Sequence, residues 1–148
     1  MTLPIELDQL FAIDDGSLPE IRVEGLDQRS IEGALDLIHS AALAPAKYGH
    51  EAGSEAPPGV NHFVAKVAIG GTELPELGVA SFEDAMIIDY RMGPAWDAAR
   101  ISALFELLSR ICALKAGAHV EIEPEADPKL RRAFQKAWLL YLTRKGAA

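Results

Sequence analysis

Residues 77–90 read LGVASFEDAMIIDY, the pattern of two β-strands joined by a tight turn at Glu83 and Asp84. Side chains alternate between the two faces of a strand, so Phe82 facing Ala85 across this turn places every second residue on one side. That side carries an apolar set: Leu77, Val79, Met86, Ile88 and Tyr90. We therefore predict that this side of the hairpin, formed by strands 77–82 and 85–91, faces the hydrophobic core.

Neighbouring segments extend the hairpin into a sheet. Residues 61–69 form a preceding strand, and Gly70-Gly71 serve as turn residues before the hairpin, so the three strands make a meander. Residues 118–123 form a further short strand in which apolar and polar side chains alternate. The β-α-β order over residues 85–123 allows one parallel pairing.

A second hairpin is predicted at the N-terminus, over residues 5–24. Two apolar-rich runs, 7–13 and 18–23, flank an Asp-Gly turn in which Gly16 accepts a positive φ. Pro19 has no N–H to donate to a neighbouring strand. The second strand is therefore expected to lie at an edge of the sheet.

Three helices complete the fold. Asp27 is placed to cap the first, which should end before Pro45; residues 95–116 form the second, with Gly117 as its C-cap; Asp127 and Pro128 begin the third. Apolar residues at helical spacing define three buried stripes. They are Ile31, Leu35, Ile38 and Ala42; Ile101, Leu104, Phe105, Leu108, Ile111 and Cys112, widened by Leu107 and Leu114; and Leu130, Ala133, Phe134, Ala137 and Tyr141.

These elements predict an α+β fold. We expect a mostly antiparallel sheet of about five to six strands, built from the N-terminal hairpin and the meander, with about three helices packed mainly on one face. Residues 44–58 are rich in Ala, Gly, Pro and Glu and are expected to form a long loop. We expect residues 1–148 to form one domain. Trp96 and Trp138 are predicted to be buried.

Charge is distributed unevenly along the chain, whose net charge is −8 at pH 7. Before Pro128 there are 8 basic and 22 acidic residues, a net charge of −14. Residues 128–148 contribute +6 and contain no acidic side chain. The basic residues of this C-terminal segment are Lys129, Arg131, Arg132, Lys136, Arg144 and Lys145. Because opposite charges attract, the segment either docks internally on the acidic body or is a surface for a partner.

Composition excludes several classes of protein. A hydrophobic content of 49% with 24% charged residues is typical of a globular protein rather than a disordered one. The apolar run at residues 137–142 is too short to span a bilayer, so no membrane partner is expected. A single cysteine, Cys112, and an N-terminus without signal-peptide features indicate a cytoplasmic location. The acidic balance argues against binding nucleic acid.

The sequence predicts no catalytic residues, no cofactor and no assigned metal site. His119, Glu121 and Glu123 share one face of a strand and have the side-chain types that Zn, Mn or Fe could use, with His50 and His62 as further candidate ligands. A solvated strand face would have the same pattern.

Two other features have both a functional and a structural interpretation. Glu32, Asp36 and His39 are neighbours on the first helix, where a carboxylate could orient the imidazole or the residues could form a solvated face. Cys112 lies in an apolar stripe, where a small inert core residue is expected. Neither a phosphate-binding loop nor a nucleophile elbow is present.

The acidic body suggests a small cytosolic interaction protein. A stoichiometric inhibitor or immunity-type protein that binds a basic partner fits this charge, because an acidic field steers a positive partner. Two alternatives remain open. One is a small metal-assisted hydrolase that uses His119 and Glu121 with a loop histidine, and the other is a structural homo-oligomer. The absence of a catalytic motif favours a protein that is not an enzyme.

Overall fold

A computed structural model of the chain describes residues 11, 19–43, 47–48, 61–122 and 128–147. These residues contain eight strands and three helices of two or more residues. In chain order they are β1 (Glu20–Glu24), α1 (Gln28–Ala41), β2 (Lys47–Tyr48), β3 (Asn61–Ala65), β4 (Ala68–Ile69), β5 (Thr72–Glu73), β6 (Leu77–Ser81), β7 (Ala85–Tyr90), α2 (Ala98–Cys112), β8 (His119–Ile122) and α3 (Pro128–Ala147).

Six of the strands form one sheet in the order β2-β3-β6-β7-β1-β8, and every pairing in it is antiparallel. The predicted α+β class, the number of sheet strands and the three helices are confirmed. Although α2 connects β7 to β8, β1 lies between them, so the parallel pairing that the sequence allowed does not form.

The predicted meander is confirmed in β3, β6 and β7. The Phe82 N–H donates a hydrogen bond to the Ala85 carbonyl at 2.9 Å, which closes the tight turn. The five apolar residues predicted on one side are all buried, each with 1% exposure or less. They are Leu77, Val79, Met86, Ile88 and Tyr90.

The strand predicted at 61–69 is interrupted. The chain leaves the main sheet after Ala65, and β4 pairs with β5 in a separate two-stranded hairpin. Gly70 and Gly71 form its turn with φ values of 57° and 83°. Positive φ at both central residues is typical of tight hairpin turns, which explains why two glycines stand here.

The predicted N-terminal hairpin is corrected by the structure. β1 is an interior strand whose two edges pair with β7 and β8, so it does not have the predicted edge position. The predicted Asp-Gly turn lies outside the described residues. Phe11, the one described residue of that run, is helical. Pro19 lies just before the strand, where its carbonyl accepts a hydrogen bond from the Tyr90 N–H, so its missing N–H does not interrupt a ladder.

The predicted loop at 44–58 contains a strand, because Lys47–Tyr48 pair with Val64 and Phe63. The rest of that loop lies outside the described residues. Helix α1 begins as predicted, since the Asp27 carboxylate accepts a hydrogen bond from the Ser30 N–H at 2.8 Å. The Ser30 hydroxyl accepts one from the Asp27 N–H in return, which forms a capping box.

Helix α2 is shorter than predicted at both ends, because Asp97 caps its first turn and Ala113 is its C-cap. Gly117 lies instead in the turn before β8, with φ of 88°. The apolar stripe of α2 is buried as predicted from Ile101 to Ile111, but Cys112 is half-buried and Leu114 is 42% exposed.

Two clusters of aromatic side chains contribute to the core. Phe105 of α2 is fully buried and makes edge-on contacts with Phe134, Trp138 and Tyr141 of α3 at centroid distances of 5.6, 5.6 and 5.8 Å. Trp96 packs against Phe11 and Tyr90 in a second cluster. Both tryptophans are buried as predicted. Within the described residues, none of the helices is long and apolar enough to cross a membrane.

Replacing Phe105 with alanine is expected to reduce the free energy of unfolding by about 3 to 5 kcal/mol, because it leaves a cavity beneath α3. Urea denaturation monitored by circular dichroism measures the change. The matched control is Leu139→Ala on α3, whose side chain is 59% exposed. It should change stability by no more than about 0.5 kcal/mol. Equal effects of the two substitutions would contradict the proposed packing.

Candidate functional site

The sheet has an inner face that carries buried apolar residues and an opposite, outer face. The outer face is defined here by the alternate residues Glu20, Arg22, Glu24, His62, Val64, Gly78, Ala80, Ala85, Ile87, Asp89, His119 and Glu121. Except for the buried Gly78, these residues are half-buried or exposed. The outer face therefore carries four carboxylates and one guanidinium, so it is acidic when its histidines are neutral.

Asp89 is a half-buried carboxylate of the outer face with a raised pKa. Its strand partner is Gly78, and a Cβ atom at Gly78 would lie only 2.3 Å from Asp89 Oδ1. The missing side chain thus gives the carboxylate room to lie across β6. Burial raises the pKa of Asp89, and the charge of His62 lowers it only in part. Asp89 Oδ2 lies 3.9 Å from His62 Nε2.

These two residues border a pocket of about 660 Å³ at one end of the outer face. Besides His62 and Asp89, its wall includes Glu76, Trp96 and one guanidinium, that of Arg91. A poorly hydrated carboxylate in a concave, partly apolar wall attracts a cationic group, because such a group restores the stabilisation that water supplies elsewhere. The pocket is thus suited to a positively charged side chain or ligand.

The structure brings together part of the predicted metal set. His119 and Glu121 lie on the exposed side of β8, as the alternation predicted, and Glu24 of β1 lies directly opposite His119. His119 Nε2 is 3.7 Å from Glu24 Oε2 and 3.8 Å from Glu121 Oε1. Glu123, which completed the predicted set, lies outside the described residues.

The other predicted ligands do not join this cluster. His62 is on β3, and β6, β7 and β1 separate it from β8. Four steps between adjacent strands correspond to roughly 19 Å, too far for two ligands of one metal ion. His50 lies outside the described residues. The loop histidine that the hydrolase hypothesis required is therefore not supplied by His62.

The remaining candidate residues are in ordinary structural environments. The ring of His39 stacks on Phe63 at 5.0 Å, and in the described part of the chain it forms no ion pair with Glu32 or Asp36. Burial raises the pKa of the Cys112 thiol to about 11. At neutral pH this thiol stays protonated and is a poor nucleophile.

The basic C-terminal helix docks internally. Its apolar residues pack on Phe105, and its Lys145 Nζ donates a hydrogen bond to Glu106 Oε2 of α2 at 2.8 Å. The Tyr141 hydroxyl donates a short hydrogen bond to the same carboxylate, and Arg110 Nε donates to its other oxygen at 3.3 Å. The Glu106 carboxylate thus accepts hydrogen bonds from side chains of two helices.

This network changes the acidity of its members. Burial alone would raise the pKa of Glu106, but the hydrogen bonds from Lys145 and Tyr141 and the charge of Lys145, with Arg110, lower it to about 2. Burial and the bond to the Glu106 carboxylate raise the pKa of Tyr141 to about 12. Both groups therefore keep their charge states across the physiological pH range.

Sequence patterns did not identify Glu24, Gly78, Asp89 or Glu106. An isolated glycine inside a strand often marks a place where another group approaches the backbone closely, so Gly78 could have indicated such a contact. Tyr141 and Lys145 share a helix face at i, i+4 spacing, which indicates a possible common partner. Neither pattern identifies that partner, because Asp89 and Glu106 are reached only through tertiary contacts.

No known protein family matches this sequence, and neither a curated protein nor a solved structure matches the chain. We therefore derive a function from the charge and geometry of the outer face and from the docking of α3.

Glu106→Gln should lower the free energy of unfolding at neutral pH by about 1 kcal/mol, a value kept small because partly exposed ion pairs are screened. The carboxylate has a depressed pKa in the folded state. Its contribution to the free energy of unfolding is therefore present above a pH of about 4.5 and is lost as the pH falls towards about 2. Denaturation across this range should show a shallower loss for the variant than for the unmodified protein. Glu32→Gln on α1 is the control, and identical pH profiles for all three proteins would contradict the network.

Asp89→Asn should have the opposite effect on stability. Because the pKa of Asp89 is raised, ionisation opposes folding, and this cost appears as the pH rises above 3.8 through the folded-state pKa. The variant is expected to be more stable than the unmodified protein at neutral pH by about 0.5 to 1 kcal/mol. The gain should disappear below pH 3.8. Asp36→Asn, an exposed carboxylate on α1, should show no such gain in thermal or urea unfolding.

Proposed function

We propose that this protein is a small interaction domain that binds a basic partner protein through the outer face of its sheet. A stoichiometric inhibitor or immunity-type protein is the form of this activity that the charge favours. The observation that carries the proposal is the position of Asp89. Its carboxylate has a raised pKa and lies half-buried in the wall of a pocket. Keeping such a charged group partly removed from water raises the free energy of the free protein, and an incoming cation would stabilise it.

A like-charged neighbour strengthens this interpretation. Glu20 lies directly opposite Asp89 on the adjacent strand β1. Like charges in directly opposite positions of antiparallel strands destabilise a sheet. A lysine or arginine side chain from a partner would relieve this repulsion, so the pair supports a role in binding rather than in stability.

The docking of α3 supports the same conclusion. Its Lys145 is engaged with Glu106 on the helix side of the protein, and its aromatic residues are engaged with Phe105. The basic helix therefore uses these groups to hold itself to its own chain. The part of the outer face around Asp89, whose pocket contains no residue of α3, can then attract the positive charge of another molecule, which accelerates association and excludes acidic competitors.

The test begins with capture of partners by the tagged full chain from its own cells at low and high salt. Binding of one basic protein that is lost at high salt is the expected result, because screening weakens long-range attraction between charges. The combined substitution Glu20→Gln and Asp89→Asn should then weaken that association by at least about tenfold.

The matched control removes the same charge from the helix side, through Glu32→Gln with Asp36→Asn on α1. This pair should change the dissociation constant by less than about threefold, because it alters only the long-range field. Association that is insensitive to salt, or equal weakening by the two double variants, would count against the outer face as the binding surface.

A structural homo-oligomer is the second candidate, and exposed leucines on α3 favour it. Leu139, Leu140 and Leu142 are 59%, 41% and 37% exposed, although each is apolar. Apolar residues grouped on one surface are typical of protein contacts. Light scattering of the purified chain distinguishes the candidates, because a stable oligomer without a basic partner would favour this second function.

A further inference from the structure

We propose that Glu24, His119 and Glu121 form a binding site for a divalent transition-metal ion such as Zn²⁺. One potential ligand atom from each of the three side chains lies within 4.8 Å of the other two. The residues come from the neighbouring strands β1 and β8, and their side chains are between 38% and 54% exposed. An ion from solution can therefore reach all three without unfolding of the sheet.

The distances suit a zinc ion after small side-chain rotations. In tetrahedral zinc sites the metal–nitrogen and metal–oxygen distances are about 2.0 to 2.2 Å, which separates neighbouring ligand atoms by about 3.4 Å. His119 Nε2 lies 3.7 and 3.8 Å from the nearest oxygens of the two carboxylates. Contraction by a few tenths of an ångström would therefore bring each oxygen to the separation from Nε2 that a shared ion requires, and the carboxylates of Glu24 and Glu121 offer oxygens within 4.8 Å of each other.

A second observation concerns the orientation of the imidazole. His119 Nδ1 lies 3.3 Å from the Gly117 carbonyl oxygen, so the tautomer that donates from Nδ1 directs the lone pair of Nε2 towards both carboxylates. Histidine ligands of metals usually donate their other ring N–H to such an outer acceptor, which fixes the ring and increases its basicity.

The backbone around this acceptor is closely packed. Gly25 follows β1 with φ of +79°, and a Cβ atom there would lie 2.9 Å from the Gly117 carbonyl oxygen. Glycine at this position therefore lets the ends of β1 and β8 approach each other. This approach holds the Gly117 carbonyl, His119 and Glu24 in one place, so the ligand set is supported by its backbone.

The donor set indicates which ions would bind. One imidazole and two carboxylates suit Zn, Mn or Fe(II), and three protein ligands leave at least one coordination position open. His119 and Glu121 also line a groove with Arg131, Arg132 and Lys136 of α3. These cations limit the affinity for a bare divalent ion and favour an anion at its open position. This site goes beyond the proposed function and does not depend on the pocket at Asp89.

Isothermal titration of the full chain with Zn²⁺, after treatment with a chelator and its removal, tests the proposal. We expect saturable binding of one ion per chain and a rise in melting temperature, because the ion would join β1 to β8. His119→Ala and Glu24→Gln should each weaken binding by at least about tenfold. Glu121→Gln provides a further ligand variant if either of these fails to fold.

The matched control is His62→Ala, which removes an imidazole that faces one carboxylate, Asp89, rather than two. It should leave the dissociation constant for Zn²⁺ within about twofold of the unmodified value. Absence of saturable binding up to about 1 mM Zn²⁺ would overturn the proposal. Undiminished binding by folded ligand variants, or an equal loss in the His62 variant, would overturn it as well.

Discussion

The packing of Phe105 against three aromatic residues of α3 is the contact on which the arrangement of this protein depends. It attaches the C-terminal helix to α2 and so brings the most basic segment of the chain to Glu106, a carboxylate that neutralises part of its charge. The same docking places Gln135 beside β8, where its side chain donates a hydrogen bond to the Val120 carbonyl at 3.0 Å. An edge strand with an engaged carbonyl is less able to pair with another chain.

Electrostatics and packing act together at this interface. Glu106 receives donors from Arg110 on its own helix and from Tyr141 and Lys145 on α3, which compensates for its partial removal from water. The outer face is organised differently. There Asp89 lies beside Gly78, with His62 Nε2 3.9 Å from its carboxylate and the like-charged Glu20 directly opposite it on β1. The first carboxylate is satisfied within the chain, whereas the second is suited to a cation from outside.

Much of the fold could be predicted because the spacing of apolar residues and the capping residues are local features of the sequence. The alternation around the Glu83-Asp84 turn identified the buried side of two strands, and the cap at Asp27 identified the start of α1. The edge position predicted for the strand after Pro19 came from the same kind of pattern and was wrong, because strand pairing is decided by all the strands that compete for an edge. Here β7 and β8 occupy both edges of β1.

By itself, the sequence determined the α+β class, the apolar face of the meander, the outward position of His119 and Glu121, and the separation of acidic and basic segments. These properties follow from periodicity and composition, which are local. Only the tertiary structure decided that Glu24 joins His119, that Gly78 makes room for Asp89, and that Lys145 binds Glu106. Each of these contacts joins residues on different elements, and sequence spacing carries no information about distances between elements until strand order and helix docking are set.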